Sequence, residues 1–327
     1  MIAASMLISL ALGVTCNDPY VRTRADNSTC STPNSPAHCL WWPGGSTVTF
    51  HQSTTGNPAT PDPGTGTAVF DAITRSWQTW QAIMNNCGSL TIAEGGKTTD
   101  RTVGYDQSSP NSNINIVLFR QRTCDPPLVP ATDPCHTSNT CGNTYDCWEH
   151  SGNTIALTTT TYDRNTGHIL DADMELNGQA PGGTTGFKFT LVDSPPCPMS
   201  VTNYNCVAAD IQNTATHEFG HSLGLDHTMY QIFDPCAPGC TSTSYTHSTM
   251  YAQAPTGDLC KRCVDSGSRQ FVCDVYPKNK AAQDCLGNGS TGGGSSSGCT
   301  AAPGGPMLAL VLLSLLVVRR QRGRRIN

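Results

Sequence analysis

Basic residues are scarce outside one short stretch of this 327-residue sequence. Charged residues make up 13% of it, and five of the 19 Lys and Arg (Arg319, Arg320, Arg322, Arg324 and Arg325) crowd into the last nine positions. The rest of the chain sets 14 basic residues against 24 acidic ones, a net charge near −10. Nucleic acid is excluded as a partner, because phosphate binding needs a basic face. Long apolar runs are also missing. The longest, Met307 to Val318, has 12 residues, where a membrane-crossing helix needs about 20. No internal repeat is visible. A single C-x-x-C, Cys260 to Cys263, has no second pair to complete a zinc ribbon. Histidine is sparse too, with 9 in the chain.

Cysteine, glycine and proline are plentiful, at 17, 31 and 22 residues. So many cysteines do not suit a reducing compartment, and they imply an exported protein with a disulfide framework. Fifteen lie between Cys30 and Cys285, an odd number, so either Cys16 pairs or one thiol stays free.

Both ends read as export machinery. Residues 1–15, within "MIAASMLISLALGVTC", are apolar and uncharged and suit a signal peptide, although the basic n-region is absent. Residues 16–285 form the folded domain, 286–298 a Gly/Ser linker and 299–327 a C-terminal anchor or sorting segment. The positive-inside rule keeps the terminal arginines cytoplasmic. The Gly-Cys after the linker, the short apolar run and the arginines resemble the C-terminal sorting signals of myxobacterial surface proteins (MYXO-CTERM type). That resemblance implies processing at Cys299, contact with the membrane through this segment alone, and a protein at the cell surface or released from it.

Between the ends the order of elements is α+β. "STVTFHQS" (46–53) alternates like a strand, and segments 89–96 and 113–120 follow as strands. Between the first two lies a helix over 68–86, with Phe70, Ile73, Trp77, Trp80 and Met84 as its core stripe. Residues 121–152 read as a disulfide-pinned loop in which His136 and His150 are solvated. Residues 153–178 give two strands around "DRNTG". Asp171, Asp173 and Glu175 there line a solvated face, with calcium as the alternative reading of those carboxylates. Calcium has no further support in the sequence.

The chemistry concentrates in "HEFGHSLGLDH". Asp210 or Asn213 starts a helix, and Ile211, Ala215 and Phe219 form its buried stripe. His217 and His221, four residues apart, share one helical face, so two imidazole nitrogens reach one Zn2+ ion. Gly224 ends the helix in a conformation that most residues resist, and His227 returns as a third ligand. Three neutral nitrogens leave a fourth position open, as catalytic zinc sites do. Glu218 follows the first ligand and is placed as general base toward a zinc-bound water.

This extended motif, with Met250 23 residues after His227, resembles the metzincin metallopeptidases and their matrixin-like branch. Leu223, Leu225 and Asp226 match that branch's preferences, as do "DADMELN", "STMYAQ" and "VCDVYP". The resemblance implies a zincin-type catalytic domain: a twisted mixed sheet, a backing helix from the N-terminal half, the zinc-binding helix and disulfide-rich loops. It implies one catalytic zinc on His217, His221 and His227, Glu218 as the catalytic residue, and Met250 as a packing base beneath the imidazoles. It also implies that the strand near 169–176 is the sheet edge that takes an extended peptide substrate, and that the loop Thr228–Ser248 walls the pocket. A matrixin-type pro-domain is missing, and Cys30 or Cys39 stands as the only substitute for its zinc-blocking cysteine.

The function expected is a secreted, surface-anchored zinc metalloendopeptidase, monomeric, acting on protein or peptide. The alternative is a zinc-containing surface binding or adhesion module without hydrolytic activity.

Overall fold

The computed structural model describes residues 18–26, 37–62, 64–197, 204–229, 248–286 and 324–326. Its first strand, β1 (Val21–Arg22), is followed by β2 (Thr47–Gln52), whose Val48, Phe50 and Gln52 point inward as the alternation requires. Helix α1 (Ala68–Cys87) buries Val69, Ala72, Ile73, Ser76, Trp80 and Met84 at steps of three and four. Phe70 and Trp77 are only half-buried, so the stripe runs one residue to the side of the one expected.

Strands β3 (Thr91–Glu94) and β4 (Asn115–Arg120) follow, then two short helices, α2 (Cys135–Ser138) and α3 (Cys141–Tyr145). Strands β5 (Ala156–Asp163) and β6 (Ile169–Asn177) form an antiparallel pair. The chain continues through β7 (Phe189–Thr190), β8 (Ala209–Asp210), α4 (Ile211–Ser222), β9 (Leu225–Asp226) and α5 (Ser266–Val275). A last strand, β10 (Arg324–Ile326), lies parallel to Thr161–Asp163.

The main sheet is mixed, in the order β3-β2-β4-β6-β5-β10; β3, β2, β4 and β6 are parallel, and β5, with the short β10 parallel to it, runs the other way. Strand β6 is therefore interior. The expectation that 169–176 forms the edge is wrong, because β5 pairs along its outer side from Ala156 to Tyr162. Beyond β6 lies β5, the first strand of that hairpin, and among the described strands only β10 pairs with the outer side of β5, at Thr161–Asp163.

Helices α1 and α4 pack on one face of the sheet. Trp80, fully buried, donates its indole N–H to Thr216 O at 2.9 Å, and Ser76 Oγ donates to Gln212 O at 3.1 Å. Phe50 and Phe219 meet edge to face at 4.7 Å, joining β2 to α4. Truncating a buried tryptophan of this kind costs about 3–5 kcal/mol.

The opposite face is not solvated. Asp171, Asp173 and Glu175 are all buried there. Arg120 Nε donates to Glu175 Oε1 at 2.7 Å, and His150 Nε2 lies 3.4 Å from Glu175 Oε2. Asp146 binds Arg120 Nη1 at 2.8 Å and Arg101 Nε at 2.7 Å. The loops from Arg101 to His150 cover these carboxylates, and sequence alternation alone does not reveal a polar layer of that kind.

Five disulfides are described: Cys39–Cys285, Cys87–Cys273, Cys124–Cys147, Cys135–Cys141 and Cys197–Cys206. Cys260 and Cys263 are disulfide-bonded as well. Cys39 is thus no latch thiol, and Cys30 lies outside the described residues. The pair Cys124–Cys147 pins the 121–152 loop, and Cys87–Cys273 ties α1 to α5. Among the described residues no helix is long and apolar enough to cross a membrane. The signal segment, Cys16, linker residues 287–298 and Cys299 lie outside them.

Candidate metal centre

Asp210 caps α4: its backbone is extended and its carboxylate accepts from Asn213 N at 2.7 Å. Arg262 holds that carboxylate in place through Nε and Nη2. The helix is buried on nearly every side, so His217 and His221 are 8% and 4% exposed. Its end comes at Gly224, where φ is +99° and an added Cβ would lie 2.3 Å from Leu40 O. Only glycine suits that turn, and the turn brings His227 back toward the helix.

The three Nε2 atoms lie close to one another. His217 to His221 is 3.2 Å, His217 to His227 is 3.2 Å and His221 to His227 is 3.1 Å. A tetrahedral ion with Zn–N bonds of about 2.0–2.1 Å needs its nitrogens about 3.3–3.4 Å apart. The other ring nitrogens decide what the Nε2 atoms carry. His217 Nδ1 lies 2.7 Å from Thr249 O and His221 Nδ1 lies 2.8 Å from Leu225 O. A carbonyl only accepts, so both Nδ1 atoms bear the proton and both Nε2 atoms present lone pairs. Burial depresses the pKa of all three rings: His217 falls well below its ordinary value, His221 to about 3 and His227 to about 4. Positive neighbours, Lys261 among them, add to the effect. His217, His221 and His227 form a group that could hold a metal ion, and a set of three imidazole nitrogens fits zinc.

Glu218 is 5% exposed and turns toward β5. Thr158 Oγ1 donates to Glu218 Oε2 at 2.7 Å and lies 3.1 Å from the Glu218 carbonyl oxygen. Oε1 has no hydrogen bond among the described residues. Burial raises the carboxyl pKa to about 7, and the Thr158 hydrogen bond opposes that rise.

Met250 is fully buried in the turn Ser248–Tyr251, which Tyr251 N closes onto Ser248 O at 2.9 Å. It packs against Gly220: a Cβ there would lie 2.2 Å from Met250 Sδ. The glycine inside the motif is required by that contact. Thr249, in the same turn, supplies the carbonyl that orients His217.

Two residues of the centre carry no sequence signal. Thr158 is one of four consecutive threonines in β5. Lys261 sits inside the C-x-x-C, 3% exposed, with its Nζ donating to Tyr251 O and, at 2.8 Å, to Gln253 O. Burial lowers its pKa to about 8. A small cavity of about 100 Å3 opens one turn before His217, between Ile155, Asn213, Thr214 and Pro255.

Other candidates fare differently. His150 is bound to Glu175 rather than solvated. Cys135, His136 and Cys141 could share an ion by distance, but the two sulfurs are bonded to each other. Asp171 and Asp173 hydrogen-bond each other. The segment 230–247, with Cys236, Cys240 and His247, lies outside the described residues. No protein-family model matches the chain, and no curated protein matches it either.

Proposed function

We propose that this chain is a zinc-dependent metalloendopeptidase with a matrixin-like, metzincin-type catalytic domain, exported and held at the cell surface. The observation that carries the reading is the convergence of His217, His221 and His227 Nε2 within 3.1–3.2 Å, beside a buried carboxylate anchored through one oxygen. A zinc ion on these nitrogens supplies Lewis acidity for peptide hydrolysis. Glu218 is the general base: Oε1 takes the proton of the attacking water and returns it to the leaving amine. Thr158 keeps Oε2 fixed, so the carboxylate does not have to reorient between the two transfers. The outer side of β5 over Ala156–Thr160, before the stretch paired with β10, offers backbone groups to an extended peptide, and the cavity at Asn213 and Thr214 receives a side chain. Met250 and Thr249 support the site from below.

The test uses the purified chain, an unfolded protein such as casein, and Glu218→Ala. Hydrolysis blocked by a chelator, restored by zinc and abolished in the variant at unchanged zinc content is the expected result. Equal activity in the variant refutes the general-base assignment. No cleavage by the wild type, with zinc bound and partner binding intact in both forms, supports the adhesion module instead.

A further inference from the structure

Two of the three histidines stand on a hydrogen-bonded helix, and the third does not. His227 follows the turn at Gly224, on a stretch whose own secondary structure is the two-residue β9. Thr228 N donates to Met250 O at 3.1 Å, and further support comes from the other end of the sequence. Val21 pairs with Asp226 and Arg22 with Leu225 in an antiparallel ladder. Thr23 N donates to Gly224 O at 2.9 Å, and Thr23 Oγ1 donates to Leu225 O at 3.0 Å. Beyond the histidine, Thr228 Oγ1 donates to Asp18 O at 2.7 Å. The segment 18–23 therefore grips the chain on both sides of His227.

That segment is itself anchored away from the centre. Tyr20 packs its ring on Phe271 at 5.6 Å and donates to Asp274 Oδ2 at 3.0 Å. Leu40 N donates to Thr23 O at 2.9 Å, and Cys39 is bonded to Cys285. Pro19 O approaches Gly267 so closely that a Cβ there would lie 2.1 Å away.

We infer that residues 18–23 act as a clamp that pre-orders His227 and thereby sets the metal affinity of the centre. The inference rests on the metal-centre reading above. A ligand on an unordered chain must lose its backbone freedom when the ion binds, and that loss subtracts from affinity. Here the ordering is already done by β1. Thr23 and Thr228 are positioning residues, since they act through the backbone that carries His227. Loss of the segment would loosen one ligand of three while leaving α4 and its two histidines intact, so the clamp is a control point for metal loading.

The test compares the full chain with Thr228→Val, with the double variant Thr23→Val/Thr228→Val, and with Thr60→Val as control. Each change is nearly isosteric. Thr60 donates to Phe189 O at 2.8 Å and bonds no residue of the centre. Zinc affinity is read by competition with a chromophoric chelator, and thermal stability is read on the metal-free proteins. The double variant should bind zinc roughly 10-fold more weakly or worse, the range seen when groups orienting a ligand are removed, with Thr228→Val in between. Thr60→Val should lose stability at wild-type affinity. Equal affinity in all four proteins overturns the clamp and leaves the metal centre standing. Affinity lost equally in Thr60→Val also overturns it, because the effect is then general destabilisation. A wild type that takes up no zinc overturns the centre and the clamp with it.

Discussion

Thr158 on β5 donates its hydroxyl hydrogen to Glu218 Oε2 at 2.7 Å, joining the outer strand of the sheet to the helix that carries the histidines. A base that must act twice gains from being held in one rotamer. Thr158→Val keeps the shape and removes the donor. We expect kcat for peptide hydrolysis to fall about 10-fold, with zinc content unchanged and Thr158→Ser recovering most of the loss. Steady-state kinetics beside metal analysis checks this, and a Val variant with full kcat would remove Thr158 from the site.

Metal removal should be visible in stability as well as in activity. An ion bound only by the folded chain stabilises it by about 4 kcal/mol at a thousand-fold excess over Kd. The zinc-loaded protein should therefore melt several degrees above the chelated one in a calorimetric scan. In His221→Ala that zinc-dependent difference should vanish, because two remaining nitrogens do not hold the ion.

Asp171 predicts a pH dependence of opposite sign to the usual carboxylate. Burial raises it from 3.8 to about 6, against a lowering contribution from its hydrogen bond to Asp173. Between those values the folded chain binds more protons than the unfolded chain. Stability conferred by this group is thus present in acid and lost as pH rises through 4 to 6, on the order of 2–3 kcal/mol. Asp171→Asn removes that contribution. Urea midpoints at pH 4.5 and 8 should show the variant gaining on the wild type at the higher pH, and an equal difference at both would exclude the shift.

Lys261 is a buried ammonium that satisfies the carbonyls of Tyr251 and Gln253 just after Met250. Lys261→Met leaves both acceptors unpaired, a cost of about 1–3 kcal/mol each. Amide hydrogen exchange at residues 251–254 should speed up in the folded variant while zinc stays bound. Unchanged protection there would show that the lysine does not secure this wall.

Much of this was legible in the sequence because the pattern was local. The α1 period, the alternation in β2 and the Asp210 cap each follow from residues within a few positions of one another. The three histidines were legible because helix pitch and one glycine turn bring them together within eleven residues. What escaped depends on contacts between distant segments. β6 was read as the edge strand from the resemblance, and its carboxylates as solvated, whereas β5 pairs along its outer side and Arg120 of β4 and His150 of a loop reach Glu175. Thr158 and Lys261 lie 60 and 43 residues from Glu218 in sequence, with nothing in their neighbourhoods to mark them. The grip of residues 18–23 on His227 spans some two hundred positions.

The bonds Cys39–Cys285 and Cys87–Cys273 join cysteines 246 and 186 positions apart and enclose nearly all of the described domain. A single backbone nick at any position from 40 to 284 leaves two pieces still covalently joined. Such a molecule tolerates proteolytic attack between those cysteines without shedding fragments. On a gel the nicked species would run near its original size until a reductant is added, and only then separate into two bands.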